Sequence, residues 1–300
     1  MKEIALFLGQ GLFILLVSPL VNGVIKKTKA RMQNRVGPPL WQPYLDIIKF
    51  LRREAVTSVN TSWLTSITPY ICLSAYLVAG GIIPLAGKQI LALGDIIAFI
   101  YLFALARFFL ALASLESGGS FGGMGSSREM MIATLVEPVL ALGLFGLVAL
   151  AGTTDLAGIR GAGSNPAGIL ALIGLMVVII AETGRVPVDN PDTHLELTMV
   201  HEGMLLEYSG RQLGWLHLAA VIKETVLLIL LIHLFFPANP SWPLILILIS
   251  LIVKIMVLGV VLALIESVNA KMRLFRLPEL MAGGAAICLL SILINSLNGL

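Results

Sequence analysis

The sequence predicts an all-α integral membrane protein: a bundle of about eight transmembrane helices forming a single membrane domain over residues 1–300. Three observations predict it. The chain is 58% hydrophobic and only 12% charged, with a mean hydropathy of +0.96, whereas soluble domains carry roughly 25% charged residues. Apolar runs of the length that crosses a hydrocarbon core recur along it. Lys and Arg fall almost entirely into alternate loops, as the positive-inside rule requires. The net charge of +3 is too small for a nucleic-acid footprint.

The expected spans are 4–25, 67–86, 96–115, 130–151, 167–181, 216–236, 243–266 and 279–297. The first is longer than a signal-peptide core, and no small-x-small cleavage site follows it before "IKKTKAR", so it reads as a retained helix. The loops after odd-numbered spans (about 26–66, 116–129, 182–215 and 267–278) hold fourteen Lys and Arg, against Lys2, Lys88 and Arg160 on the other side. This bias places those loops in the cytoplasm and both termini outside, in a cytoplasmic (inner) membrane.

Loop 1 is too long for a simple connector. Pro38, Pro39 and Pro43 rule out a continuous helix before Tyr44. Tyr44, Ile47, Ile48, Leu51 and Ala55 then recur at helical spacing, with Asp46, Lys49, Arg52 and Arg53 opposite, which predicts an amphipathic helix on the membrane or against a partner. The next such loop, "SGGSFGGMGSSRE", has neither the strand context nor the spacing of a phosphate loop and reads as a flexible turn.

The third loop gathers acids. Residues 182–203 contain Glu182, Asp189, Asp192, Glu196 and Glu202, five of the seventeen in the chain. Thr193-x-x-Glu196 has capping-box form, so a helix is expected to start there. On such a helix Leu195, Met199 and Leu206 share an apolar stripe with Glu202, while Asp192, Glu196 and Glu207 form an acidic one. Glu202 would then be paired or have a raised pKa. "HEGML" fails as a zinc-protease motif because Leu205 stands where the second histidine belongs. Cys72 and Cys288 lie far apart in apolar runs, so no metal site is expected in this chain.

Ionisable groups inside spans are costly, about 2.5–3.5 kcal/mol each at the centre, and usually functional. Here they are Arg107, Glu137, Lys223, Glu224 and Lys254, with His233 and Glu266 nearer helix ends. Arg107, Glu137, Lys223 and Glu224 all fall about 10–12 Å from the loop ends of their helices, and Lys254 nearer the midplane. Two readings stand: fixed ion pairs such as Arg107 with Glu137, or a hydrated half-channel whose carboxylates relay protons. No nucleotide site, nucleophile triad or complete redox centre accompanies them, so the chain reads as a coupler, not a self-sufficient catalyst. An autonomous transporter would show an inverted repeat, and none is visible.

Four motifs in order, "QNRVGPP…QPYLDIIKFL", "GSSREMMIATLVEPVL", "ETGRVPVDNPDTHLELTMVHEGMLLEYSG" and "ESVNAKMRLFRLPEL", resemble the H-type membrane subunit of respiratory complex I and its hydrogenase relatives. Against the complex I pattern E-x-N-R-x-P-F-D-L, the chain keeps Glu182, Arg185, Pro187, Asp189 and "EYSG", but has Gly184 and Val188 where that pattern has Asn and Phe. It also runs "NPDTHLELTMVHE" where complex I runs glutamates. That version is similar to the membrane subunit of group 4 membrane-bound NiFe-hydrogenases, the formate hydrogenlyase subunit 4 or hydrogenase-4 component C type, and the departures weigh against quinone reduction.

The resemblance implies a membrane anchor for a peripheral arm that carries the hydrogenase large and small subunits and a ferredoxin-like Fe–S subunit, beside antiporter-like membrane subunits. The NiFe centre and Fe–S clusters would belong to those partners, with no cofactor in this chain. Arg31, Asn34, Arg35, Gly37, Pro38, Arg128, Glu129, Glu182, Arg185, Pro187, Asp189, Asp192, Glu196 and Glu207 would dock the arm and line a cavity beneath it. Glu137, Glu202, Lys223, Glu224, Lys254, Arg107 and Glu266 would carry ions inward. The alternative is the quinone-site subunit of a complex I-type dehydrogenase.

Overall fold

The computed structural model describes residues 2–57, 61–85, 94–189 and 199–298, and among them it contains no β-strand beyond an isolated bridge, Asp95 to Asp155. Among the described residues seven helices are long and apolar enough to cross a membrane: α1 (Lys2–Met32, counted from Leu6), α3 (Trp63–Ile82), α4 (Ile96–Glu116), α5 (Ser120–Ala151), α8 (Gly210–Phe235), α9 (Leu244–Val268) and α10 (Leu277–Asn298, counted from Leu274). The apolar helix α6 (Pro166–Glu182) is shorter, at 17 residues. Two short helices, α2 (Gln42–Leu51) and α7 (His201–Leu205), lie in the loops. Each expected span thus has its helix.

Helix α8 is the axis. Its most apolar stretch is 94% buried, against 22% for α9 and α10, so α8 packs on protein all round while α9 and α10 present apolar side chains outward. Helices α1, α3 and α9 pack together on one side, with α1 and α3 against α8. Helices α5, α6 and α10 form the other side, joined to the first through α4 with α5 and α6 with α8. The amphipathic loop-1 helix exists as α2, with Pro43 in its first turn, where a missing N–H costs nothing. It buries Ile47, stacks Phe50 on His217 at 5.4 Å and leaves Leu45 and Ile48 outward. Ala55 falls beyond its end.

Three loops differ from expectation. α1 runs two turns past residue 25, because nothing breaks a helix before Asn34 (φ 56°) and Gly37 (φ 71°). The glycine-rich "turn" is helical from Ser120. Its glycines serve packing: a Cβ at Gly125 would stand 3.0 Å from the Val200 carbonyl oxygen and 3.1 Å from the Gly203 carbonyl carbon, so the missing side chain lets α7 lie against α5. The acidic loop contains only the single turn α7 among its described residues, and the expected helix start at Thr193 lies outside them, as do Asp192 and Glu196.

Candidate functional site

Lys223 and Glu224 are neighbours on α8, both buried, and consecutive residues on a helix point about 100° apart. Each therefore serves a different cluster.

Lys223 turns toward α4, α5 and α6. Its Nζ lies 2.9 Å from Glu182 Oε1. Glu182 also accepts hydrogen bonds from the Arg107 guanidinium, which donates to Glu137 as well. Glu129 completes the group, 3.8 Å from Arg107 Nε. Three carboxylates thus face two cations, drawn from four helices. Every member is buried except Glu137, whose side chain is 40% exposed on the flank of the bundle.

Glu224 turns toward α9 and the chain leaving α6. Arg185 donates from Nη2 to Glu224 at 2.7 Å and from Nη1 to Glu266 at 3.1 Å. Lys29, in the extra turns of α1, lies 3.8 Å from the same Glu266 oxygen. Burial alone would lower the pKa of Arg185, but the Glu224 and Glu266 carboxylates outweigh it and hold it above the ordinary value, so the guanidinium stays charged. The other oxygens of Glu224 and Glu266 are buried and meet no hydrogen-bond partner among the described residues. A buried carboxylate oxygen in that state calls for a proton or water.

Arg185 reaches this position because α6 ends at Glu182 and the chain doubles back through Gly184 (φ 60°). The acidic segment is then pinned to the other loops. Lys271 Nζ lies 2.8 Å from Asp189, whose second oxygen accepts from Val200 N at 3.2 Å. Met272 N donates to the Pro187 carbonyl at 2.9 Å, and Arg128 donates to the Met199 carbonyl at 3.1 Å.

Other expected residues fall elsewhere. Glu202 is half-buried on α7; of the apolar stripe expected around it, Met199 is buried, Leu206 is 46% exposed and Leu195 lies outside the described residues. Glu207 is exposed, its side chain against Gly119. Arg31, Asn34 and Arg35 are exposed at the end of α1, with Gly37 and Pro38 half-buried behind them. Lys254 stands apart from both clusters, its Nζ on the Phe236 carbonyl at the opposite end of the bundle. Sequence reasoning missed a cleft of about 330 Å³ between α1, α2 and α8, lined by Asn22, Lys26, Asp46, Lys49 and His217. The signal was a histidine inside an apolar run, level with the amphipathic helix.

A family model described as NADH dehydrogenase matches residues 4–297. Formate hydrogenlyase subunit 4 of Escherichia coli (strain K12) is 34% identical over 296 residues, covering 94% of this chain and 95% of its own. Hydrogenase-4 component C of the same organism is 35% identical over 237 residues, covering 77% and 74%. The H-type subunit of the NADH-quinone oxidoreductase of Thermomicrobium roseum (strain ATCC 27502 / DSM 5159 / P-2) is 29% identical over 242 residues, covering 70% of each. Among solved structures, a chain of the membrane-bound sulfane sulfur reductase, an archaeal respiratory membrane complex, superposes with a TM-score of 0.86 over 98% of this chain and 100% of its own, at 19% identity. That last likeness is one of fold.

Proposed function

The chain belongs to the NADH dehydrogenase family, the complex I H-subunit type, and from that premise we propose that it is the membrane-anchoring, ion-coupling subunit of a hydrogenase-type complex. One observation supports the coupling role: a row of ionisable side chains lies in the bundle in two halves that meet at adjacent residues of α8. One half runs Lys29, Glu266, Arg185 and Glu224, and the other runs Lys223, Glu182, Arg107 and Glu137. Placing eight such groups in an apolar bundle is expensive, and fixed pairing alone leaves two carboxylate oxygens without partners. The row opens at Glu137 on the flank, where a neighbouring membrane subunit would receive an ion. The loops that hold the row in place form one end of the bundle, and their excess of Lys and Arg supports a cytoplasmic position for that end.

The exposed Arg31 and Arg35, with the pinned Arg128 and the Asp189 segment, form the docking face for a peripheral arm. The hydrogenase large and small subunits and the ferredoxin-like subunit would sit there, holding the NiFe centre and Fe–S clusters, with antiporter-like subunits alongside. This chain anchors and couples, and the redox chemistry belongs to its partners. In vesicles holding the assembled complex, Glu137→Gln and Glu224→Gln should abolish ion movement while the complex stays whole and turns over. Ion movement at the wild-type ratio in both variants would refute the reading.

A second reading, quinone binding, is favoured by the cleft between α1, α2 and α8, where His217 and Asp46 offer polar contacts beside Ile47 and Phe50. Inhibition of turnover by quinone analogues, lost in His217→Leu, would establish it. Turnover indifferent to such analogues would remove it.

A further inference from the structure

Lys254 belongs to neither charge cluster. It lies ten residues from the start of α9 at Leu244, about 15 Å along the helix, well inside a hydrocarbon core about 30 Å thick. Its Nζ donates to the Phe236 carbonyl at 2.8 Å. That bond uses one of three donors, and a carbonyl at a helix C-terminus offers only a partial charge. No carboxylate among the described residues forms an ion pair with Lys254. The connections at this end of the bundle do not supply one. Residues 83–95, 152–165 and 236–243 contain two acids, Asp95 and Asp155. Asp95 accepts from Ile97 N and Thr154 Oγ1, and Asp155 accepts from Ala157 N. Arg160 adds a second cation, lining with Lys254 a cavity of about 20 Å³ that has room for a water and nothing larger. A lone charge at such a depth is costly, and membrane proteins pair it.

The flank beside Lys254 is open. The most apolar stretch of α9 is only 22% buried. Ile245, Ile249, Val253, Val257 and Val261 are all exposed and form one row along it, each four residues from the last. Such a row is the ridge that one helix packs into the groove of another. Lys254 stands at the edge of this row and is partly exposed, and Phe236, whose carbonyl it holds, is exposed as well. The ammonium can therefore be reached from the lipid side without passing through the cavity. Lipid tails would cover the row but leave the ammonium without a counter-charge, and a lipid headgroup stays at the bilayer surface, out of reach. A helix that crosses the membrane and carries its own carboxylate satisfies both.

We propose that this flank of α9 is the seat of a membrane-spanning helix from a partner subunit, and that the helix sets an Asp or Glu carboxylate against Lys254. The apolar row supplies the packing, and the ion pair fixes the register of the two helices. This face is separate from the one at Glu137: α9 packs on α1 and α8, whereas Glu137 opens on α5. The inference rests on the reading of this chain as one subunit of a membrane complex.

The test uses the assembled complex, purified through a tag on this chain in a mild detergent, with each subunit quantified by mass spectrometry. Lys254→Glu sets like charges together, so the yield of one membrane subunit should fall at least tenfold. The peripheral arm, at the other end of the bundle, should stay bound, which a general loss of folding would not allow. Lys254→Arg should keep the wild-type composition. Wild-type composition in Lys254→Glu would overturn the proposal. Where that variant does not accumulate, Val257→benzoylphenylalanine, a photo-reactive side chain on the apolar row, decides. In native membranes it should cross-link to a membrane subunit, and adducts with lipid alone would overturn the proposal. A wild-type chain that purifies with no partner would overturn the proposed function as well. An intact wild-type complex indifferent to Lys254→Glu overturns this interface alone.

Discussion

The two clusters on either side of α8 use the same residue types and are built differently. The Arg107 cluster is fixed by helices: its five members come from α4, α5, α6 and α8, and one arginine serves three carboxylates. The Arg185 cluster is held by a residue on a loop, and its two carboxylates each keep one buried oxygen unpartnered. If the proposed coupling holds, the helix-borne cluster is the rigid part of the row and the loop-borne cluster the part that shifts when the docking face moves.

The contrast can be broken by mutation, and the largest effect should come from Arg107→Gln. It leaves Glu129 and Glu137 uncompensated and Glu182 with Lys223 alone. Breaking a buried pair in this way costs about 3–5 kcal/mol, enough that little folded protein should accumulate in the membrane, as yield and thermal unfolding would show. Arg185→Gln should cost less, because Glu266 keeps Lys29 nearby and Arg185 sits on a loop that can readjust. Unfolding midpoints that ranked the two variants the other way would erase the distinction.

Next in size is Gly125→Ala. Its Cβ would press on the 200–203 backbone, at a cost of about 1–3 kcal/mol, and the acidic segment should become sensitive to protease before the helices do. The smallest effect on stability should come from Arg31→Glu and Arg35→Glu, within about 0.5 kcal/mol because both are exposed. These variants should nonetheless release the peripheral arm from washed membranes. Retention of the arm would move the docking face elsewhere.

The helices were legible because lipid imposes a single rule, about 20 apolar residues per span; seven runs obeyed it, and the eighth, α6, is a shorter apolar helix of 17 residues. That Arg107, Glu137 and Lys223 share a level was legible too, since a fixed rise per residue converts position into level, and the three meet in one cluster around Glu182. What sits beside what was not. Lys29 and Lys271 looked like ordinary loop basics because their partners, Glu266 and Asp189, are 237 and 82 positions away along the chain. Glycine spacing misled in the other direction: in water the stretch 117–128 would favour a loop, but among packed helices its small residues form the surface on which α7 rests. Lys254 was placed by depth alone. α9 runs past the end of α8, which sets Lys254 level with Phe236 and away from the charged row.

The proposed coupling role makes Glu224 and Glu266 the carboxylates that change during turnover, while Glu182 stays held between Arg107 and Lys223. Infrared difference spectra of the assembled complex, recorded between resting and turning-over states, read carboxyl protonation directly. The account predicts a protonated-carboxyl signal that disappears in Glu224→Gln, weakens in Glu266→Gln and is unchanged in a folded Glu182→Gln. A signal that survives Glu224→Gln and vanishes only with Glu182→Gln would contradict it.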